Sequence, residues 1–147
     1  VTAGLDRGNG LSLLIADDDP SICRMLQRIL TRHMAHGVNV VDDGQKALNS
    51  VALHAYAGLF LDHEMPGLDG LELARLLRAE PGTRGLPIMI ISATTDPATV
   101  KSFLDLGIHE YLLKPISPVQ ATSRIDAFVR RCEAYDFARS GRSRPPR

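Results

Sequence analysis

Five short apolar runs punctuate the chain, at residues 11–16, 38–41, 57–61, 87–91 and 111–113. Several are nearly continuous in apolar residues and do not alternate with polar ones. That pattern predicts strands covered on both faces, as in a parallel sheet with helices on either side. Between the runs the apolar period lengthens to three and four. Asp19 and Pro20 form a helix start, the first as a cap and the second at a position where a missing N–H is harmless. Ile22, Met25, Leu26, Ile29 and Leu30 then mark one face. A second helix is predicted over 45–54. A third follows Asp69-Gly70, with Leu71, Leu73, Ala74, Leu76 and Leu77. A fourth covers 97–106 and stops at Gly107, and a fifth starts near Pro118 with Ile125, Phe128, Val129 and Cys132 on one face.

Strand and helix thus alternate five times, which predicts an α/β, doubly wound, parallel five-stranded sheet, (βα)5. The chain has 147 residues, enough for one domain with its own core. We place an N-terminal extension at 1–10, the domain at 11–138 and a disordered arginine- and proline-rich tail or linker at 139–147. Seventeen basic and seventeen acidic residues leave no net charge. That argues against direct nucleic-acid binding and against an anionic membrane surface as partner. No apolar run reaches membrane-spanning length and residues 1–10 lack a signal-peptide core, so the expected location is the cytoplasm. Cys23 and Cys132 are expected to be reduced, partly buried thiols.

In such sheets, ligands bind beyond the carboxyl ends of the strands. The first strand ends in Asp17-Asp18-Asp19, the third in Asp62-His63-Glu64-Met65-Pro66, the fourth in Ser92-Ala93 and the fifth in Lys114-Pro115. Crowded carboxylates repel one another unless a cation neutralises them. Oxygen ligands favour Mg²⁺ over zinc. Lys114 and Ser92 supply an ammonium and a hydroxyl donor that suit the oxygens of a phosphoryl group in transfer. One carboxylate must then be the nucleophile. Asp62 stands alone at its strand end and is the best candidate, while Asp17 and Asp18 form a pair suited to the metal.

These four segments resemble the motifs of response-regulator receiver domains: Leu13-Leu14-Ile15-Ala16-Asp17-Asp18-Asp19-Pro20, Leu61-Asp62-His63-Glu64-Met65-Pro66-Gly67-Leu68-Asp69-Gly70, Ile88-Met89-Ile90-Ile91-Ser92-Ala93 and Tyr111-Leu112-Leu113-Lys114-Pro115. The resemblance covers about 11–131. It implies a flavodoxin-like three-layer sandwich with strand order 2-1-3-4-5. It implies that Asp62 accepts a phosphoryl group from a histidine kinase or a histidine phosphotransfer protein. Mg²⁺, with Mn²⁺ as a substitute, would be bound by Asp18, Asp62 and the backbone carbonyl of Glu64, and by Asp17 through water. Lys114 and Ser92 would contact the phosphoryl oxygens, and Ser92 and Tyr111 would form the switch. The face made by the fourth helix, fifth strand and fifth helix would then engage an output partner. Such a domain is not an enzyme acting on an external substrate, and its long fifth helix allows a homodimer.

Some positions depart from the family's pattern. His63 stands where an aliphatic or aromatic residue is expected, and a packing role is assigned to it. Glu64 and Thr94 lie two residues beyond Asp62 and Ser92, and Glu64 is expected to influence the lifetime of the phosphoryl group. Ile108 is bulkier than the family's small residue after Gly107, which brings the geometry of the output face into question. Three other readings compete: a haloacid-dehalogenase-like phosphohydrolase with Asp17 as nucleophile, a nucleotide-binding module, and a receiver-like module that binds partners without being phosphorylated. The first lacks an acidic pair after Lys114 and a cap domain. The second lacks a glycine-rich phosphate loop.

Overall fold

The computed structural model describes residues 10–33 and 37–141. Five strands and five helices alternate along the chain: β1 (Ser12–Ala16), α1 (Pro20–His33), β2 (Gly37–Val41), α2 (Gly44–Leu53), β3 (Gly58–Asp62), α3 (Gly70–Ala79), β4 (Ile88–Ser92), α4 (Pro97–Asp105), β5 (Glu110–Leu113) and α5 (Pro118–Ser140). The strands form one parallel sheet in the order β2-β1-β3-β4-β5.

Side chains alternate across each strand, and both faces are covered. Leu13, Ile15, Phe60, Met89 and Ile91 face one layer of core, closed by Cys23, Leu26, Ile29 and Leu30 of α1 and by Ile125, Phe128 and Cys132 of α5. Leu14, Leu59, Leu61, Ile88 and Ile90 face the other, closed by Ala47 of α2, by Leu73, Ala74 and Leu77 of α3 and by Phe103 of α4. Burial on both sides is the reason the central runs read as continuously apolar. The edge strands β2 and β5 are only partly covered.

Helix starts follow from local chemistry. Asp19 Oδ1 accepts from the Ser21 N–H at 2.9 Å, as its capping role predicts. Asp69 caps α3 in a reciprocal box with Glu72, each side chain taking the other's backbone N–H. Gly107 ends the fourth helical segment with φ +73°, a conformation open to glycine. The boundaries otherwise shift by a residue or two.

Three expectations need correction. Leu76 is 44% exposed, because Gly70, Leu73, Ala74 and Leu77 define the buried face of α3 and Leu76 lies to its side. Arg139 and Ser140, placed in the disordered tail, are the last residues of α5. Arg139 donates to Asp136 Oδ1 at 2.9 Å and to the Ala55 carbonyl at 3.3 Å, and its guanidinium lies over the Tyr135 ring. These contacts carry the helix past Ala138. Residues 1–9 and 142–147 of the expected extension and tail lie outside the described residues. Among the described residues no helix is long and apolar enough to cross a membrane. Cys23 and Cys132 are free thiols, both buried in the core where partial burial was expected.

Candidate functional site

The carboxyl ends of β1, β3, β4 and β5 lie side by side, so the parallel register converts four distant motifs into one cluster. Asp62 closes β3 opposite Ile91, and Ser92 closes β4 opposite Leu113, one residue before Lys114. The Lys114 N–H donates to the Ser92 carbonyl at 2.8 Å, and the Lys114–Pro115 peptide is cis. Gly70 lets the start of α3 approach β3 closely. A Cβ there would stand 2.6 Å from the Asp62 carbonyl oxygen.

Asp17, Asp62 and Ser92 are the buried polar side chains of the described residues, while Asp18 is exposed. Lys114 Nζ donates to Asp62 Oδ1 at 3.1 Å and stands 3.9 Å from Asp17 Oδ2. The Glu64 N–H also points to Asp62 Oδ1, at 3.3 Å. Asp17 Oδ1 accepts from the Asp19 N–H at 2.8 Å. The remaining oxygens, Asp17 Oδ2 and Asp62 Oδ2, are buried and make no hydrogen bond. Such orphaned acceptors are costly unless something else satisfies them.

Burial pushes the Asp17 carboxyl up to about 6, and the charges of Asp62 and Asp18 add to this, against the opposing Asp19 N–H and Lys114. Burial also raises Asp62, against the hydrogen bond and charge of Lys114. Burial works against the Lys114 ammonium, yet Asp17 and Asp62 outweigh it and hold its pKa above the usual value. The site therefore gathers two buried carboxylates around one ammonium, with Asp18 exposed beside them.

One oxygen from each of Asp17, Asp18 and Asp62 lies within 4.8 Å of the others. The donors are all oxygen, and two of the buried oxygens accept no hydrogen bond. This set fits a hard divalent cation such as Mg²⁺ and does not resemble a zinc site.

Each of these residues was expected at the cluster, but not every contact they make. The Glu64 side chain, given no contact there, accepts from the Ser92 hydroxyl at 3.0 Å. The Thr94 N–H donates to Ser92 Oγ at 3.1 Å. Tyr111 stands away from the carboxylates, and its hydroxyl donates to the Thr94 carbonyl at 2.9 Å. Phe103 was not singled out, and it bridges His63 and Tyr111 through edge-on ring contacts. His63 packs, as expected. Ile108 is accommodated in the core beside Phe103. A groove of about 390 Å³ opens beside Tyr111 on the α4–β5–α5 face, with Leu104, Leu113 and Arg124 in its walls.

Residues 13–126 match the response regulator receiver domain family. The chain belongs to that family. It is 36% identical over 121 residues to the DNA-binding response regulator MtrA of Mycolicibacterium smegmatis, covering 82% of this chain and 51% of that protein. It is 34% identical over 125 residues to the response regulator ArlR of Staphylococcus aureus, covering 85% of this chain and 55% of that one. The receiver domain therefore spans about half the length of these relatives. Among solved structures, the receiver domain of Francisella response regulator 1452 superposes with a TM-score of 0.72 at 28% identity, covering 83% of this chain and 98% of that one. The chain is thus a signalling module of the two-component type, and the dehalogenase-like alternative gives way to the receiver family.

Proposed function

We propose that this receiver domain takes a phosphoryl group onto Asp62 from a phosphohistidine of a histidine kinase or phosphotransfer protein. The observation that carries this is Asp62 itself. It is wholly buried at a strand end, with one oxygen held by Lys114 and the other without a partner.

The free oxygen attacks phosphorus, a P–O bond forms, and the P–N bond of the donor breaks. The electron pair returns to the donor's imidazole nitrogen, and Asp62 becomes an acyl phosphate. Lys114 leaves Asp62 Oδ1 far enough to balance the phosphoryl oxygens as a point charge, and the Ser92 hydroxyl donates to another of them. Asp18, Asp62 and the Glu64 carbonyl, with Asp17 through water, would hold Mg²⁺, which supplies positive charge against the crowding anions. Attack of water on phosphorus later releases inorganic phosphate and restores the carboxylate.

Signalling follows from the same contacts. Ser92 moves toward the phosphoryl group, Tyr111 follows, and the α4–β5–α5 face is altered for a partner. In the mycobacterial relative the name records DNA binding by the whole protein. For this chain the output partner is a protein or a linked domain, with a second copy of the chain as a further possible occupant of the face. The proposed setting is the cytoplasm, where histidine kinases present their phosphohistidine.

Intact mass after incubation with acetyl phosphate tests the reading. Wild type gains one phosphoryl group with Mg²⁺ and none with EDTA, and Asp62→Asn gains none. An unmodified wild type, or an adduct that persists in Asp62→Asn, contradicts it.

A further inference from the structure

The Ser92 hydroxyl has one proton to donate, and in this structure that proton is directed to Glu64 Oε1, at 3.0 Å. The same hydroxyl cannot also donate to a phosphoryl oxygen on Asp62. Loading Asp62 therefore strips Glu64 of its donor. The replacement stands next to it: His63 Nδ1 lies 3.6 Å from the same Oε1. That distance is too long for a hydrogen bond, and Nδ1 is buried without any other partner.

Resting on the proposed phosphoryl transfer, we infer that Glu64 is a positioning residue with two exchangeable partners. It holds Ser92 while Asp62 is unmodified and closes onto the Nδ1–H of His63 once Ser92 turns to the phosphoryl group. The exchange satisfies a buried nitrogen that is now orphaned, so it favours the loaded state.

The geometry also says where the movement goes. The His63 ring stands edge-on to Phe103, with centroids 5.4 Å apart, and Phe103 stands edge-on to Tyr111 at 6.5 Å. Tyr111 in turn donates to the carbonyl of Thr94, whose N–H holds Ser92 Oγ. Two routes therefore leave Glu64 and meet at Tyr111, one through hydrogen bonds by Ser92 and Thr94, the other through rings by His63 and Phe103. Because His63 replaces the family's usual aliphatic or aromatic residue, the second route is a property of this chain.

The test uses the full chain with acetyl phosphate for loading kinetics, and Mg²⁺ with beryllofluoride as a stable phosphoryl mimic for ¹⁵N-imidazole NMR at fixed pH. Glu64→Ala frees Ser92 from the outset and should speed loading roughly tenfold, the scale of a hydrogen bond to a charged acceptor that in wild type must break before the Glu64–His63 contact can form. Glu64→Gln removes the charge but keeps an acceptor, and should restore most of the slower loading. In wild type the His63 Nδ1 resonance should move when beryllofluoride binds, and in Glu64→Ala it should not. Equal loading by the Ala and Gln variants would assign the effect to charge alone and overturn the inference. So would a static His63 resonance in a wild type that binds beryllofluoride. If wild type takes neither acetyl phosphate nor beryllofluoride, the phosphoacceptor reading fails first and the exchange fails with it.

Discussion

Asp17 is held in the folded protein where its charge is poorly accommodated, and this has a sign that can be measured. Its carboxyl is pushed up to about 6 from 3.8. Between those values the folded chain holds a proton that the unfolded chain has released. The associated stability is complete below 3.8 and lost as the pH rises through about 6. In EDTA, the urea midpoint of the wild type should fall from pH 4.5 to pH 7 more than that of Asp17→Asn. At pH 7 the variant should be the more stable by about 1–3 kcal/mol. Parallel curves would refute the electrostatic account of the site, and millimolar Mg²⁺ should narrow the gap. Lys114 is the opposite case. Lys114→Met leaves Asp62 and Asp17 without their cation, and phosphoryl loading from acetyl phosphate should slow by about a hundredfold. A loss under threefold would mean that the ammonium does not act on the phosphoryl group. All of these residues could be read from the sequence, since each sits at the polar end of an apolar run. The Glu64–Ser92 contact could not, because no local pattern states which of several nearby acceptors a buried hydroxyl will choose.

At the scale of elements, the site depends on how closely α3 begins behind β3. A Cβ on Gly70 would meet the Asp62 carbonyl oxygen at 2.6 Å and His63 Cα at 2.8 Å, both backbone atoms that cannot simply turn aside. Gly70→Ala should therefore displace the end of β3, lowering stability by about 1–3 kcal/mol and slowing loading of Asp62. Retention of wild-type stability and loading would show that this approach has slack. The start of α3 was legible from Asp69-Gly70, whereas the reciprocal box between Asp69 and Glu72 emerged only in the structure, although capping chemistry is local. Leu76 misled because helical spacing marks a stripe, and only the neighbouring layer decides how wide that stripe is. Phe103 gave no signal of its own, since its contact with His63 exists only once α4 packs beside the β3–α3 connection.

At the scale of the molecule, the parallel sheet explains why four weak motifs make one site. Every strand delivers its carboxyl end to the same edge, and order β2-β1-β3-β4-β5 sets β1, β3, β4 and β5 next to one another there. The alternation of strands and helices announced this architecture, and the family motifs supplied the strand order. The reach of α5 was less legible. Arg139 looked like the start of a polar tail, and its helical state depends on the Ala55 carbonyl and the Tyr135 ring, partners distant in sequence or visible only once the helix has formed. The role proposed for this edge is to make Asp62 a phosphoryl acceptor. Borohydride reduction converts an aspartyl phosphate to homoserine, so peptide mass spectrometry of the chain treated with Mg²⁺, acetyl phosphate and borohydride reads the acceptor directly. Homoserine is expected at residue 62 alone, and none when EDTA replaces Mg²⁺. Homoserine at residue 17, or at no residue, would contradict it.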